Sequence, residues 1–288
     1  MVAFDRRLSL MARANMFFSE PEPARAVSIP VADHVTRIVA NNPSKMTCHG
    51  TNTYIVDTSE GLLVIDPGPA EDQAHLDAVL QGVGKGAAGI LVTHHHSDHF
   101  GAAPALREKT GVPVYVSSAF PDDAFEPDVR LEDGDIIAGL TVLHTPGHAS
   151  DHICFATPDG LLFSGDHVMS WNSSIVSPPD GNMRDYCHQL QRLIDRDDKV
   201  YFPGHGPVLK DPIPYVERLL ENRMRREAQI LDHISSKPDT VKGIAAEIYR
   251  KSDPHVAWAA ERNVIAHLEK LLSENVVLKS GDLWMRSG

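Results

Sequence analysis

Four side chains that can bind a metal ion follow one short apolar run in this 288-residue sequence. Residues 88–92 predict a buried strand, and the next seven residues read Thr-His-His-His-Ser-Asp-His. The metal-capable members are His94, His96, Asp98 and His99. Imidazole nitrogen and carboxylate oxygen are donors that zinc takes in proteins. The spacing therefore predicts a metal site at the end of this strand.

Three further donors repeat the same local pattern of an apolar strand, a glycine-containing turn and then a ligand-type residue. Glycine permits a tight turn, so each donor can be held at a rigid strand end. Seven donors are too many for one tetrahedral zinc, but two ions about 3.5–4 Å apart that share a carboxylate use all seven. The predicted ligands are His94, His96 and His148 for one ion, Asp98, His99 and His205 for the other, and Asp166 as the bridge.

Hydrolysis is the chemistry that such a centre performs. Two ions lower the pKa of a bridging water toward about 7, so that a metal-bridging hydroxide exists at neutral pH and can attack a substrate. Asp98 is the predicted catalytic residue, because it can accept a hydrogen bond that orients the nucleophile while it binds metal. His152 is a candidate for holding a ligand from behind, whereas His95 is expected to point away from the metals. Two zinc ions are predicted, although the same donors also accept iron or manganese.

The composition is that of an ordinary globular protein, with 42% hydrophobic and 23% charged residues. The net charge of −12 argues against non-specific nucleic-acid binding and predicts no DNA partner, because phosphate contacts need a basic surface. No stretch reaches the length of a membrane span, and the N-terminal region makes a poor signal peptide. Three widely spaced cysteines cannot all pair, which favours a reduced, cytoplasmic protein with no membrane partner.

Two kinds of pattern divide the chain. Short β-type runs alternate with helical stretches over the first two hundred residues, which predicts a layered α/β domain. After Pro212 come a long helix, two further helices near 241–250 and 255–275, and a hairpin at 276–285, which is typical of a winged-helix module. This module lacks the basic surface of a DNA-binding domain. Docking to another protein or homo-oligomer formation is therefore an alternative role for it. The predicted boundaries are 1–30 for an N-terminal extension, 31–211 for the catalytic domain, and 212–288 for the linking helix and winged helix.

At these donors the sequence resembles the metallo-β-lactamase-fold hydrolases. The family motif His-x-His-x-Asp-His corresponds to residues 94–99, and the family's later ligands fall on His148, Asp166 and His205. Ala102 stands where the family has the second of two glycines after the motif, which is a slight departure. The resemblance begins near residue 31 and implies an αββα sandwich, with the metals at one edge of its two sheets.

A narrower similarity is to the lactamase-β-2-like subgroup, carried by segments 50–54, 65–68, 145–152, 163–166 and 203–207. That subgroup includes an endoribonuclease that acts on single-stranded RNA, so the resemblance implies RNA as an alternative substrate. The bridging aspartate is shared with thioesterases, lactonases and RNA-processing members. Together with the acidic net charge, it favours a small-molecule ester, thioester or lactone-type substrate. β-Lactam hydrolysis, as a side activity, is a weaker alternative. A non-enzymatic metal-binding module is the remaining one.

RNA cleavage would need a basic path beside the metals. Glutamates interleave with the arginines of the long helix, so a solvated face of mixed charge is the plainer interpretation. The turn-rich segment 171–183 follows Asp166, and Trp171 and Asn172 are its predicted substrate contacts. The arginines that could form the basic path are Arg218, Arg223, Arg225 and Arg226.

Overall fold

The computed structural model describes residues 20–123, 125–250 and 257–287. Residues 1–19 of the predicted N-terminal extension, and the first two residues of the helix predicted at 255–275, lie outside the described part. Among the helices that the structure describes, none is both long enough and apolar enough to cross a membrane.

Contacts divide the chain into two compact units. Each unit is assembled from segments that are distant in the sequence, so neither is one continuous stretch. The first unit holds the described chain up to His144, then Ile153–Asn172 and Asp198–Pro212. The second holds Thr145–His152, Ser173–Asp197 and the described chain from Ile213 onward.

The first unit contains two sheets. Within the described residues, the first sheet has seven strands in chain order, antiparallel from β1 to β4 and parallel from β4 to β7. A helix makes the crossover between β4 and β5, as parallel neighbours require. The strands are β1 (Ile29–Ala32), β2 (Val35–Val39), β3 (Asn52–Thr58), β4 (Gly61–Ile65), β5 (Ala87–Leu91), β6 (Val114–Ser117) and β7 (Val129–Leu131).

Two helices cover one face of this sheet. Helix α1 (Gln73–Val83) begins after Asp72, whose side chain caps it by accepting from a backbone N–H of the first turn. A four-residue helix, α2 (Ser97–Phe100), follows β5 and carries two of the predicted ligands. Helix α3 (Ala103–Thr110) has a proline in its first turn and ends at Gly111 in the left-handed conformation. The apolar side chains packed between helices and sheet include Leu76, Val79, Ile90, Leu106 and Val114.

The second sheet has six strands in the described chain, in the order β13-β12-β11-β10-β9-β8. The β11–β12 pair is parallel, and its other neighbouring strands pair antiparallel. The strands are β8 (Ile136–Ile137), β9 (Leu140–His144), β10 (Ile153–Ala156), β11 (Leu161–Gly165), β12 (Val200–Pro203) and β13 (Leu209–Lys210).

The facing sides of the two sheets share one apolar core. Three aromatic rings stand at its centre: Tyr54 of the first sheet lies 5.5 Å, centroid to centroid, from both Phe163 and Phe202 of the second. The Tyr54 hydroxyl donates to the carbonyl of Pro203 at 2.8 Å, so this buried polar atom is satisfied. The packing fixes the ends of β11 and β12, from which two predicted metal ligands emerge.

The second unit is mainly helical and has its own core. Its three described strands form a small sheet in the order β14-β16-β15, which contains the predicted hairpin. Core side chains include Ile230, Ile244, Val264, Leu268 and Trp284. The elements are α4 (Met183–Ile194), α5 (Ile213–Ser236), β14 (Asp239–Thr240), α6 (Val241–Ile248), α7 (Ala257–Ser273), β15 (Val277–Ser280) and β16 (Leu283–Arg286).

Replacing Phe163 by alanine tests the core between the sheets. Phe163 is 1% exposed and contacts both other rings, so Phe163→Ala should lower the free energy of unfolding by about 3–5 kcal/mol. Chemical denaturation measures this change. Ile136→Ala, on a side chain that is 68% exposed at the sheet edge, is the control and should cost less than about 0.5 kcal/mol. Equal losses in both variants would contradict the assigned core.

Candidate metal centre

Parallel strands place Asp166 beside His205. Strands β11 and β12 run in the same direction and end at the same edge; Asp166 directly follows β11, and His205 follows β12 after Gly204. Gly204 N donates to Gly165 O at 2.8 Å, which ties the two turns together. A Cβ on Gly204 would lie 2.6 Å from Asp166 Oδ1 and 2.6 Å from His99 Cε1. Glycine is therefore required for the backbone to approach the donors this closely.

The motif at 94–99 leaves β5 and turns into a short helix. His94 is fully buried, His96 precedes the helix, and α2 (Ser97–Phe100) carries Asp98 and His99. This helix could not be predicted from the sequence, because four residues show no detectable apolar period. The helix turns Asp98 and His99 toward the ends of β11 and β12.

Four donors of the second predicted site lie at the separations that an ion requires. The Nε2 atom of His99 lies 3.3 Å from His205 Nε2, 3.6 Å from Asp98 Oδ2 and 3.5 Å from Asp166 Oδ1. His205 Nε2 lies 3.3 Å from Asp98 Oδ2 and 3.4 Å from Asp166 Oδ2. Donors bonded tetrahedrally at about 2.0–2.2 Å from one ion stand roughly 3.3–3.6 Å apart. The residues therefore fit a metal ion in both donor type and spacing.

Two donors of the first predicted site also face each other. His94 Nε2 lies 2.9 Å from His96 Nδ1. His94 shares a potential metal cluster with His99 and Asp166, which links the two donor sets. The third predicted donor, His148, belongs to the second unit, where its Nδ1 lies 2.7 Å from Ile175 O. Its assignment to the first ion stays a prediction from the sequence.

The Asp66 carboxylate holds two of the predicted ligand histidines on the side away from their Nε2 atoms. Its Oδ1 accepts from Thr93 N, and its Oδ2 accepts from the Thr93 hydroxyl, each at 2.8 Å. Its Oδ2 also lies 2.8 Å from His99 Nδ1. Asp66 is not among the site residues predicted from the sequence, although it lies in segment 65–68 of the similarity to the lactamase-β-2-like subgroup. The signal was present, since this residue also follows an apolar strand.

These bonds select the tautomer of two predicted ligands. The Thr93 hydroxyl gives its proton to Asp66, so it must accept from His94 Nδ1, which lies 2.9 Å away. His99 Nδ1 likewise donates to the carboxylate. Both rings then carry their proton on Nδ1, and Nε2 is left to bind a metal. One buried carboxylate thus orients a predicted ligand of each ion.

The segment at 50–54 encloses the loop that carries His205. The Asn52 side chain donates to Pro203 O at 2.9 Å and to Gly206 O at 2.8 Å. His205 Nδ1 lies 3.3 Å from Gly50 O, so a carbonyl faces that side of the ring. This positioning is the structural role of the Gly-Thr-Asn-Thr-Tyr signature, and it leaves His205 Nε2 directed at the other donors.

Opposite charges dominate the electrostatics of the cluster. Burial alone would lower the pKa of His205, but the charge of Asp166 outweighs it and raises that pKa to about 9. For His99, burial is likewise outweighed by Asp98 and Asp166, which hold its pKa well above the usual value. Burial would raise the pKa of Asp98 and of Asp166, yet the neighbouring histidines lower both. Since metal ligation needs deprotonated imidazoles, binding of an ion here must release protons.

The remaining predicted site residues lie in varied surroundings. Trp171 is half-buried and packs on Gly206, where an added Cβ would lie 2.6 Å from Trp171 Cδ1. This places the Trp171 ring one residue from His205, whereas Asn172 is exposed. His152 is buried in the second unit, with its ring centre 6.4 Å from that of His148.

The chain belongs to the metallo-β-lactamase superfamily. The sequence profile of the Metallo-beta-lactamase superfamily matches residues 46–205, which include all seven predicted ligands. The profile of the Beta-lactamase associated winged helix domain matches residues 240–284. The predicted fold, an αββα sandwich followed by a winged helix, is confirmed, and so is the prediction of a hydrolase. Proteins of this superfamily bind divalent metals, and the His/Asp cluster is present here.

Three similar proteins give the family context. The Beta-lactamase-like protein 2 homolog of Drosophila melanogaster is 32% identical over 271 residues, which cover 86% of this chain and 91% of that protein. The Atrochrysone carboxyl ACP thioesterase of Claviceps purpurea (strain 20.1) is 31% identical over 235 residues, covering 77% of this chain and 74% of that protein. The crystal structure of TTHA1623 in a di-iron-bound form is 30% identical, with a TM-score of 0.52, and covers 60% of this chain and 94% of that one.

Replacing Asp66 by asparagine tests its role behind the ligands. An amide keeps an acceptor at only one of the two oxygen positions. Its NH2 group must face either the Thr93 N–H or the Thr93 hydroxyl and His99 Nδ1, so Asp66→Asn should weaken metal binding about 10–100-fold. Retention of metal against graded chelator measures the change. Asp57→Asn, at an exposed aspartate of the same sheet, is the matched control and should bind metal normally. Unchanged retention in both variants would remove Asp66 from the metal centre.

Acidification should destabilise the protein through His75. This buried side chain lies 2.7 Å from the Thr53 hydroxyl, and burial lowers its pKa from 6.5 to about 4. The unfolded chain therefore binds a proton more readily, and stability falls as the pH drops from about 6.5 toward 4, by about 3 kcal/mol. Urea denaturation of wild type and His75→Gln across this range isolates the effect. The stability advantage of the wild type should shrink with acidification, and a constant difference would contradict the assignment.

Proposed function

We propose that this protein hydrolyses thioesters with a pair of zinc ions. The observation that carries the proposal is the close cluster of His99, His205, Asp98 and Asp166, at separations of 3.3–3.6 Å. In this proposal His94, His96 and His148 hold the first ion, Asp98, His99 and His205 hold the second, and Asp166 bridges them. The di-iron form of TTHA1623 supports a two-metal centre in a protein of this fold.

The protein's own residues divide the work of the reaction. When bound, the ions would supply a water nucleophile of low pKa and polarise the scissile carbonyl. Asp98 is 30% exposed on its side chain, so it faces the open side of the cluster and can accept a hydrogen bond from the attacking water. Thr51 lies 3.4 Å from the same carboxylate oxygen, Oδ2, and donates to it. Trp171 and Asn172 are proposed to contact the substrate.

The ligand chemistry favours a leaving group that departs without a proton. Every carboxylate and imidazole that binds a metal does so deprotonated, so none of the seven ligand side chains starts the reaction with a proton to give to the leaving group. A thiol has a pKa of about 8.5 and leaves readily as a thiolate, whereas an alkoxide or an amine needs protonation. Relatives named as acyl-carrier-protein thioesterases support the same substrate class.

The test compares a thioester and an oxygen ester that carry the same acyl group. Zinc-loaded, full-length protein should turn over the thioester with a kcat/KM about 100-fold above that of the ester, because only the alcohol leaving group suffers from the missing acid. Chelator should abolish turnover of both substrates, and zinc should restore it. His96→Ala should lose activity, whereas His95→Ala, its neighbour in the motif, should keep it.

Two other outcomes would replace the proposed thioesterase activity by a different function. Labelled single-stranded RNA belongs in the same panel. Metal-dependent RNA cleavage without thioester turnover would replace the proposal by an endoribonuclease. Failure of all substrates in protein that holds two ions would point to a metal-binding module without this activity.

A further inference from the structure

A backbone carbonyl in a neighbouring loop orients the proposed ligand His148. Its Nδ1 lies 2.7 Å from Ile175 O. Because a carbonyl only accepts, Nδ1 carries the proton and Nε2 keeps the lone pair that would bind metal. The position of the Ile175 carbonyl therefore sets the direction in which the His148 ring points.

Two C-terminal helices hold this carbonyl in place. Arg223 of α5 donates to Ser174 O, the carbonyl just before Ile175. Asn263 of α7 accepts from Val176 N, just after Ile175, at 3.4 Å. Arg223 Nη1 donates to Asn263 Oδ1 at 3.0 Å, so the two side chains are joined. One linked pair of side chains thus fixes the backbone on both sides of Ile175.

The same arginine also supports the turn before His148. Arg223 is 5% exposed, and its guanidinium carbon lies 4.9 Å from the ring centre of Tyr186. The backbone of Tyr186 presses on Gly147, where an added Cβ would lie 2.4 Å from Tyr186 Cα. Asn182 N donates to Gly147 O at 2.9 Å. Arg223 therefore supports both segments that position His148, which are the backbone around Ile175 and the turn at Gly147.

We propose that Arg223 is a positioning residue for the metal centre. It acts with Asn263 by fixing the Ile175 carbonyl, and that carbonyl orients His148. This inference rests on the proposed role of His148 as a ligand. The C-terminal helices thereby contribute to metal binding, although all seven proposed ligands precede them in the sequence.

The experiment counts the ions that each variant retains. Zinc-loaded, full-length proteins are dialysed against graded chelator, and bound zinc is counted by native mass spectrometry. His148→Ala first identifies the ion that depends on His148. Arg223→Met, which keeps most of the buried volume and removes the donors, should weaken that ion about ten-fold and leave the other unchanged. The readout is independent of any substrate.

Three variants separate positioning from general damage. Arg225→Met, at an exposed arginine of the same helix, should retain both ions normally. Asn263→Leu should reproduce the selective weakening, and it provides the test if Arg223→Met does not fold. Arg223→Lys should restore part of the lost affinity, because lysine can still donate to Ser174 O.

A double variant decides whether the effect passes through His148. If it does, His148→Ala combined with Arg223→Met should retain no less zinc than His148→Ala alone. Equal weakening of both ions, or of neither, in Arg223→Met and Asn263→Leu would overturn the positioning role while leaving the ligand role of His148 intact. Unchanged retention of both ions in His148→Ala would overturn the ligand role and this inference together.

Discussion

The hydrogen bonds of the Asp66 carboxylate are the constraint on which the metal centre depends. A cluster of buried imidazoles binds metal only if each ring presents a lone pair in the right direction, and a neutral imidazole has one to offer. Asp66 fixes the direction of this lone pair in His99 by a direct hydrogen bond, and in His94 through the Thr93 hydroxyl. Asp66 itself has a φ of 52°, a strained backbone for a residue other than glycine. Hydrogen bonds to a carboxylate, worth about 1.5–3 kcal/mol each, offset that strain.

The two sheets provide the second constraint, because they fix the positions of the donor side chains. Donors at the ends of paired strands inherit the register of the strands, so Asp166 and His205 are positioned by the β11–β12 pair and by the aromatic core beneath it. Gly204 then lets the backbone approach within contact of Asp166 and His99. A side chain at this position would separate the donors, so the site needs glycine for space and not only for the turn.

The predicted ligands could be found from the sequence because their pattern is local. An apolar strand, a glycine and then a ligand-type residue are visible together in a short window, and this pattern recurs at His148, Asp166 and His205. Residues that act through a partner distant in the chain leave no such trace. His75 contacts Thr53, and Arg223 contacts Ser174, across separations of 22 and 49 residues. Two-residue strands such as β8 and β14 leave no pattern in the sequence, because two residues cannot show an alternation.

The arginines of α5 show that a basic residue in the sequence need not add positive charge to the protein surface. Read along the chain, they offer a basic path for RNA. In the structure Arg223 is buried against Ser174 and Asn263, and the Arg226 guanidinium stacks 4.5 Å from the ring centre of Tyr249. Side chains committed to internal partners cannot track a phosphate backbone without giving up those contacts. Two of the four candidate arginines are therefore engaged within the scaffold, whereas Arg225 is exposed, and the RNA alternative rests on the resemblance to the subgroup and not on a basic path along this helix.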